Sequence, residues 1–203
     1  CTKSIAPITA PGKIAIRTGT NVEPVKIGIL GLGTVGSGTV NVLTRNADEI
    51  QRRAGRGIRV VHAAARDLKR KRNCPTEGIR LTADPLAVVN DPEVEVVVEL
   101  MGGYEPARTL VLQAIENGKH VVTANKAMIA AHGNEIFAAA QKKGVMVAFE
   151  AAVAGGIPII KTIREGLAGN RIEWLAGIIN GTSNFILTEM RDRGADFADV
   201  LAE

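Results

Sequence analysis

The stretch VKIGILGLGTVGSGTVNVL, residues 25–43, decides the fold of this chain. Its apolar opening predicts a strand over residues 25–30, and Gly31, Gly33 and Gly36 follow in the spacing Gly-x-Gly-x-x-Gly. In this spacing the first glycine permits a sharp turn and the second admits a diphosphate close to the backbone. The third glycine lets the strand and the following helix pack closely, so the stretch predicts a phosphate-binding turn.

The same turn leads into a predicted helix over residues 34–54. The N–H groups of a helix's first turn have no partner inside the helix, and the helix dipole is positive at that end, so an anion is favoured there. Glycine triples also occur at ordinary turns, but here a strand, a helix and further βα units surround the motif. The expected dinucleotide contacts are Gly31, Gly33, Thr34, Val35 and Gly36.

Beyond this turn, short apolar runs alternate with longer amphipathic stretches. Strands are predicted at residues 58–65, 94–100, 119–124 and 145–150, and helices at 84–90, 105–117 and 126–142. Because the strands are nearly all apolar, both of their faces should be covered by helices. The predicted fold class is therefore α/β, a Rossmann-type doubly wound parallel sheet.

The character of the sequence changes after Glu150. Residues 151–203 predict part of a second α/β domain for substrate binding or dimerisation, with a helix over 157–168, a strand over 171–179 and a helix after Asn180. Residues 25–150 form the predicted nucleotide-binding domain.

The two ends of the chain are unusual. Residues 1–24 are rich in Thr, Pro, Gly and Ala and predict an irregular lead-in, with a short strand at residues 13–17. The chain begins with Cys1 and ends in DFADVLAE, which has a helical pattern, so we expect a fragment of a longer protein.

Composition narrows the function classes. Only 3% of the 203 residues are aromatic, so the basic run RDLKRKR, residues 66–72, lacks the stacking platform of a nucleic-acid site, and no nucleic-acid partner is expected. No apolar run approaches the roughly 20 residues of a membrane span, so no membrane partner is expected either. The two cysteines form no disulfide or metal framework. With no signal-peptide pattern, a cytoplasmic location is expected.

The residue that contacts the adenosine ribose should stand at the end of the second strand, where Arg66 and Asp67 lie. An arginine suits a 2′-phosphate through charge-assisted hydrogen bonds, whereas an aspartate suits a free 2′-hydroxyl. Because Arg66 comes first and basic residues follow it, NADP is favoured and NAD stays an alternative.

Three segments should converge at the carboxyl ends of the strands, where open parallel sheets bind ligands. These segments are ELMGGYEP (99–106), TANKA (123–127) and EAAVAGGIP (150–158). In the first, Met101, Gly102 and Gly103 can approach a cofactor, although a plain turn explains the glycines nearly as well.

Lys126 is the strongest catalytic candidate. It follows Thr123 and Asn125 at the mouth of a buried strand, where an ammonium group can hold an oxygen anion or pass a proton. The first turn of a helix is an unfavourable place for a cation, which favours a functional reason for this lysine. Asn125 can also cap the same helix.

Taken together, the sequence resembles the homoserine dehydrogenase family. The segments that carry the resemblance are IGILGLGTVGSGTV, VVELMGG, VVTANKA, FEAAVAGGIPII and GIINGTSNFIL, and they span most of residues 25–203. The family interconverts L-aspartate 4-semialdehyde and L-homoserine with NAD(P), on the route to threonine, methionine and isoleucine. The resemblance therefore implies a small-molecule substrate and a homodimer at full length.

The resemblance also implies residue roles. It places Lys126 beside nicotinamide and substrate, with Thr123 and Asn125 in the same pocket, and Gly181 and Thr182 near the substrate. It further implies a monovalent cation such as sodium, which Glu150, Val153 and Gly155 hold mainly through backbone oxygens. The family continues with acidic residues and a second lysine, and this chain ends at Glu203 before such a segment.

Two other functions stay open at this stage. A phosphorylating semialdehyde dehydrogenase needs a nucleophilic cysteine, and Cys1 and Cys74 are both poorly placed for that role. A nucleotide-binding regulatory module without catalysis would need only the glycine turn.

Overall fold

The computed structural model describes residues 22–203, so the strand predicted at residues 13–17 lies outside the described residues. Six parallel strands form one sheet in the order β3-β2-β1-β4-β5-β6. The strands are β1 (Val25–Leu30), β2 (Ile58–Ala64), β3 (Arg80–Thr82), β4 (Val96–Glu99), β5 (His120–Thr123) and β6 (Val147–Ala148). The predicted doubly wound parallel sheet is thus confirmed.

Helices connect the strands. They are α1 (Thr34–Arg45), α2 (Ala47–Ala54), α3 (Pro85–Val89), α4 (Ala107–Glu116), α5 (Lys126–Lys143), α6 (Ile159–Lys161), α7 (Gly181–Arg193) and α8 (Phe197–Ala202). A 3₁₀ turn covers Glu150–Ala152, and a π-helical stretch, Thr162–Gly166, continues α6. Across residues 22–203, none of these helices is both long and apolar enough to cross a bilayer.

Apolar side chains cover both faces of the sheet. Alternate residues of β1 face opposite sides, so Leu30 packs with one buried cluster and Ile29 with the other. The first cluster includes Val111 of α4 and Ile136 of α5, and the second includes Val40 of α1. Each fully buried aliphatic side chain contributes roughly 1.5–3 kcal/mol to folding, so these two layers hold the sheet between its helices.

Local sequence signals start and stop the helices. Asp84 caps α3 by accepting a hydrogen bond from the N–H of Leu86 (2.9 Å), and Pro85 occupies the first helical position. Gly144 ends α5 with a φ of +70°, a left-handed conformation that glycine adopts without a Cβ penalty.

A buried polar cluster joins β2 and the start of β3 to the loop that precedes β4. His62 of β2 lies 2.8 Å from the carboxylate of Asp91, which also accepts hydrogen bonds from Arg80 and from the N–H of Glu93. Burial opposes ionisation of Asp91, but the Glu93 N–H, His62 and Arg80 together outweigh it and lower the pKa of this carboxyl. His62 and Asp91 therefore help to stabilise the fold.

The predicted helix over residues 34–54 is interrupted. It breaks at Asn46, whose φ of −108° and ψ of +22° end α1 and begin α2. Asparagine has a weak helix propensity because its side chain competes for backbone hydrogen bonds, so a break is favoured at this position. Strand β3 was not predicted, because three residues at a sheet edge leave almost no periodic signal.

The strand predicted at residues 171–179 is wrong. This segment has no regular secondary structure, and Ile178 and Ile179 are 78% and 89% exposed. A strand is stable when a neighbour satisfies its N–H and C=O groups, and no strand within residues 22–203 pairs with this segment. The helix predicted over residues 157–168 is shorter and begins only after Pro158.

Candidate functional site

The reversal of strand order in the sheet lies between β1 and β4. Strand β1 continues into α1, which covers one face, whereas β4 continues towards α4, which covers the other. Their carboxyl ends are joined by a hydrogen bond from the Leu100 N–H to the Leu30 carbonyl (2.8 Å). In open α/β sheets the crevice at such a point receives the ligand.

The glycine turn between β1 and α1 is tightly packed at two positions. Gly31 has a φ of +98°, and a Cβ there would lie 2.9 Å from the carbonyl oxygen of Leu100. A Cβ on Gly36 would overlap the carbonyl oxygen of Gly31. These two glycines are therefore required by the turn itself and by the packing of helix on strand.

Gly33, the middle glycine, differs because a Cβ there would meet no atom within 4 Å. Helix α1 has no side-chain cap, and among the described residues the N–H groups of Thr34, Val35 and Gly36 donate no hydrogen bond. Open space and unpaired donors thus lie together at a positive helix end. We call the backbone of residues 33–36 the N–H cradle; its shape and charge fit a diphosphate.

The loop after β2 contains Arg66, whose side chain is free within the described residues, and Asp67, whose carboxylate hydrogen-bonds to the backbone of the loop. Arg66 is exposed, and its guanidinium makes no hydrogen bond or ion pair with any described residue. Asp67 Oδ1 instead accepts hydrogen bonds from the N–H groups of Lys69 (2.9 Å) and Arg70 (3.2 Å), which closes the turn.

Arg72, which the sequence analysis did not single out, connects this loop to the glycine turn. Its Nη1 donates to the carbonyl of Leu32 (2.8 Å), and its Nη2 donates to the carbonyl of Asp67. Its Nε is buried without a partner among the described residues. In the sequence it was one member of a basic run, so nothing distinguished it from its solvated neighbours.

Lys126 is the first residue of α5, at the same edge of the sheet as the N–H cradle. It is exposed, and within residues 22–203 its ammonium group makes no hydrogen bond or ion pair. Asn125 caps the helix, since its Oδ1 accepts a hydrogen bond from the Met128 N–H (3.1 Å). The free ammonium group can therefore meet an anionic or polarised oxygen at this edge.

A buried carboxylate that the sequence analysis missed lies beneath these loops. Glu99, the last residue of β4, is fully buried; its Oε1 accepts from the N–H of Met101 (2.7 Å) and of Gly102 (3.3 Å). Its Oε2 accepts from the hydroxyl of Thr123 (2.6 Å), which is also fully buried. The signal in the sequence is an acidic residue that closes the apolar strand VVVE.

Gly102 and Gly103 have φ values of +76° and +74°, so both glycines are required by the turn after β4. The carbonyl of Gly103 accepts a hydrogen bond from the side-chain amide of Asn125 (2.6 Å). The predicted residues of the β4 and β5 loops are thus brought together, with Thr123 and Asn125 below the surface.

Gly181 and Thr182 form the first turn of α7, which Asn180 caps by accepting from the Ser183 N–H (2.7 Å). They line a groove of about 410 Å³ together with residues of α8. Their hydrogen bonds involve α7 alone, and the structure gives them none to the β-sheet unit.

The predicted cation residues follow β6. Glu150 uses its carboxylate to accept hydrogen bonds from the N–H groups of Ile160 (2.9 Å) and Lys161 (2.8 Å). Between Val153 and Gly155, Ala154 has a φ of +47°, the only positive φ of a non-glycine residue in the described part of the chain. No group of three or more His, Cys, Asp or Glu side chains able to hold a metal occurs among residues 22–203.

The strand order, the glycine turn and the N–H cradle define an NAD-binding domain of the Rossmann type. A family model described as the NAD binding domain of homoserine dehydrogenase matches residues 31–150, and one described as homoserine dehydrogenase matches residues 158–203. The chain belongs to the homoserine dehydrogenase family.

Known proteins agree with this assignment. Over 182 residues the chain is 69% identical to a homoserine dehydrogenase of Pseudomonas aeruginosa, covering 90% of this chain and 42% of the relative. It is 59% identical over 185 residues to that of Neisseria gonorrhoeae, with 90% and 42% covered. A crystal structure of a homoserine dehydrogenase from Thiobacillus denitrificans superposes with a TM-score of 0.80 at 68% identity, over 89% of this chain and 42% of that one. The chain thus spans about two fifths of the length of these relatives.

Proposed function

We propose that this chain provides the NAD(P)-binding part of a homoserine dehydrogenase, which interconverts L-aspartate 4-semialdehyde and L-homoserine by hydride transfer. The observation that supports this most is the N–H cradle, which opens at the same edge of the sheet as the free ammonium group of Lys126. Family membership supplies the substrate pair.

Each predicted contact has a role in the proposal. Gly31 and Gly36 shape the turn, while the backbone of Gly33, Thr34 and Val35 receives the diphosphate. Arg66 meets the adenosine ribose, and the turn Met101, Gly102 and Gly103 lies along the nicotinamide half. Thr123 and Asn125 support this pocket from below, through Glu99 and the cap of α5.

When bound, the nicotinamide cofactor supplies or accepts the hydride. Lys126 orients the aldehyde oxygen of the substrate and stabilises the negative charge that develops on it by an ammonium–oxygen interaction. The same ammonium group can hold a proton beside this oxygen. Gly181 and Thr182 are proposed to contact the amino-acid end of the substrate.

The proposal extends to a monovalent cation, sodium, at Glu150, Val153 and Gly155. The carbonyl oxygens of Val153 and Gly155 accept no hydrogen bond among the described residues, and hard oxygen ligands suit such an ion. The positive φ of Ala154 is consistent with a backbone shaped around a ligand. A homodimer and a cytoplasmic location are also part of the proposal; the first rests on the resemblance to the family and the second on the sequence pattern.

The cofactor part is tested by calorimetric titration of the chain with NADPH, together with the Gly33→Ala variant. A Cβ at position 33 meets no protein atom, so the variant should fold as the wild type does. The methyl group would occupy the space of the diphosphate, and NADPH affinity should fall by at least about tenfold, or about 1.4 kcal/mol.

The control for this titration is the melting temperature of both proteins, which should agree. If the folded wild-type chain binds neither NADPH nor NADH, the proposed function is wrong. If Gly33→Ala binds NADPH as tightly as the wild type, the N–H cradle is not where the diphosphate lies.

The choice between NADP and NAD depends on Arg66. Replacing it with alanine should weaken NADPH binding about tenfold or more and change NADH binding by less than about threefold, because only NADPH carries a 2′-phosphate. Lys71→Ala, from the same exposed basic run, is the matched control. An equal loss for both cofactors in Arg66→Ala would contradict a role in 2′-phosphate recognition.

A further inference from the structure

Glu99 is a buried carboxylate that accepts three hydrogen bonds and has no cationic partner within the described residues. Its relative exposure is 0%. Removing a carboxylate from water without a counter-ion costs several kcal/mol, so a side chain kept here for packing alone would be apolar or a neutral amide. The position therefore needs a group that only accepts hydrogen bonds.

Its acceptors lie between the two loops of the proposed nicotinamide pocket. Oε1 accepts hydrogen bonds from the N–H groups of Met101 and Gly102 in the loop after β4. Oε2 receives the hydroxyl of Thr123 from the end of β5. One side chain thus ties both loops to the end of the central strand β4.

The hydrogen bonds continue into the helix that carries Lys126. The oxygen of Thr123 accepts from the N–H of Asn125 (3.0 Å), and the side chain of Asn125 donates to the Gly103 carbonyl and caps α5. The path from Glu99 therefore closes on itself through both loops. We call this ring of hydrogen bonds the Glu99 ring.

We propose that Glu99 is a positioning residue, which holds the turn at Gly102–Gly103 and the helix start at Lys126 in one fixed relative pose beside the nicotinamide. This inference rests on the proposed dehydrogenase function. Because a carboxylate cannot donate, it forces the Thr123 hydroxyl to point towards it and leaves the oxygen of Thr123 free to accept from Asn125. The direction of each hydrogen bond in the Glu99 ring follows from that one group.

A glutamine at this position has the same size but the wrong donor pattern. If the amide nitrogen of the introduced glutamine faces Met101, N–H donors face one another and no acceptor is left for the N–H of Met101. If the nitrogen faces Thr123, the Thr123 oxygen accepts from both the glutamine and Asn125, and the Thr123 hydroxyl proton has no acceptor. Either orientation leaves at least one buried polar group unpaired. Glu99→Gln should therefore loosen the pose of Lys126, and it removes no hydrogen bond of the N–H cradle at residues 33–36.

The test compares Glu99→Gln with the wild type in the holoenzyme. Turnover (kcat) for homoserine should fall by at least about thirtyfold. A displacement of the reacting groups by about an ångström lowers the reaction rate by a factor on the order of a hundred. The dissociation constant for NADPH should change less than about threefold, because the proposed diphosphate and ribose contacts lie in the turns after β1 and β2. A residue with only a structural role would lower kcat, raise the dissociation constant for NADPH and lower the melting temperature together.

Two variants of Thr123 keep the test decisive if Glu99→Gln fails to fold. Thr123→Val removes the hydroxyl and should reproduce the loss, whereas Thr123→Ser retains it and should lose clearly less turnover than Thr123→Val. If both folded glutamine and valine variants keep wild-type turnover, or if Ser and Val behave alike, the positioning role is overturned. Wild-type protein that binds no NADPH would instead overturn the proposed function, so the two failures are distinguishable.

Discussion

Replacing Lys126 with alanine is expected to lower turnover of homoserine in the holoenzyme by a factor of about 100 or more. The loss follows from the free ammonium group at the start of α5, which is the group proposed to stabilise charge on the substrate oxygen. NADPH affinity should change by less than about threefold, because the N–H cradle and Arg66 are separate from this position. Steady-state kinetics and calorimetric titration measure the two effects independently.

Lys142 offers a matched control for this experiment. It is an exposed lysine in the last turn of the same helix, where a cation is favoured by the helix dipole. Lys142→Ala should leave turnover unchanged. Wild-type turnover in Lys126→Ala would remove this lysine from the mechanism, and a parallel loss in both variants would point to damage of α5 rather than to chemistry.

Replacing Gly36 with alanine is expected to lower the free energy of unfolding by about 3 kcal/mol and to abolish measurable NADPH binding. Alanine normally stabilises a helix relative to glycine by about 1 kcal/mol. Here the new methyl group overlaps the carbonyl oxygen of Gly31, and that residue cannot retreat because it already packs on Leu100. The overlap therefore outweighs the gain in helix propensity.

Gly38→Ala separates these two effects. Gly38 lies in α1 two residues further on, and a Cβ there meets no atom within 4 Å. This variant should be more stable than the wild type by up to about 1 kcal/mol and should bind NADPH normally. Urea unfolding followed by circular dichroism measures both proteins. Equal stability of the two variants would show that α1 does not pack on the turn as described.

The parts of the fold that could be predicted are those with a strong local signal. Long apolar strands and capped helices, such as α3 after Asp84 and α5 before Gly144, were predicted within a few residues of their true ends. The strand predicted at residues 171–179 was wrong because its apolar residues satisfy a propensity for strands, whereas a stable strand also requires a partner.

The same distinction, between local signals and contacts with distant residues, applies to the candidate site. Gly31, Gly33 and Gly36 could be found because their spacing carries its own geometry, and Lys126 because its place at a helix start is unusual for a cation. Glu99 and Arg72 were missed, because their roles depend on groups far apart in the sequence: Thr123 for Glu99, and the Leu32 carbonyl for Arg72. The contacts of Gly181 and Thr182 with the substrate stay a prediction.

The bridge that Arg72 makes between the Leu32 and Asp67 carbonyls bears on any redesign of the proposed coenzyme preference. Replacing every basic residue of the run 66–72 would also remove the hydrogen bonds by which Arg72 connects the glycine turn to the loop after β2. A redesign towards the non-phosphorylated coenzyme should therefore alter Arg66 and the outward-pointing members of the run, and leave Arg72 untouched.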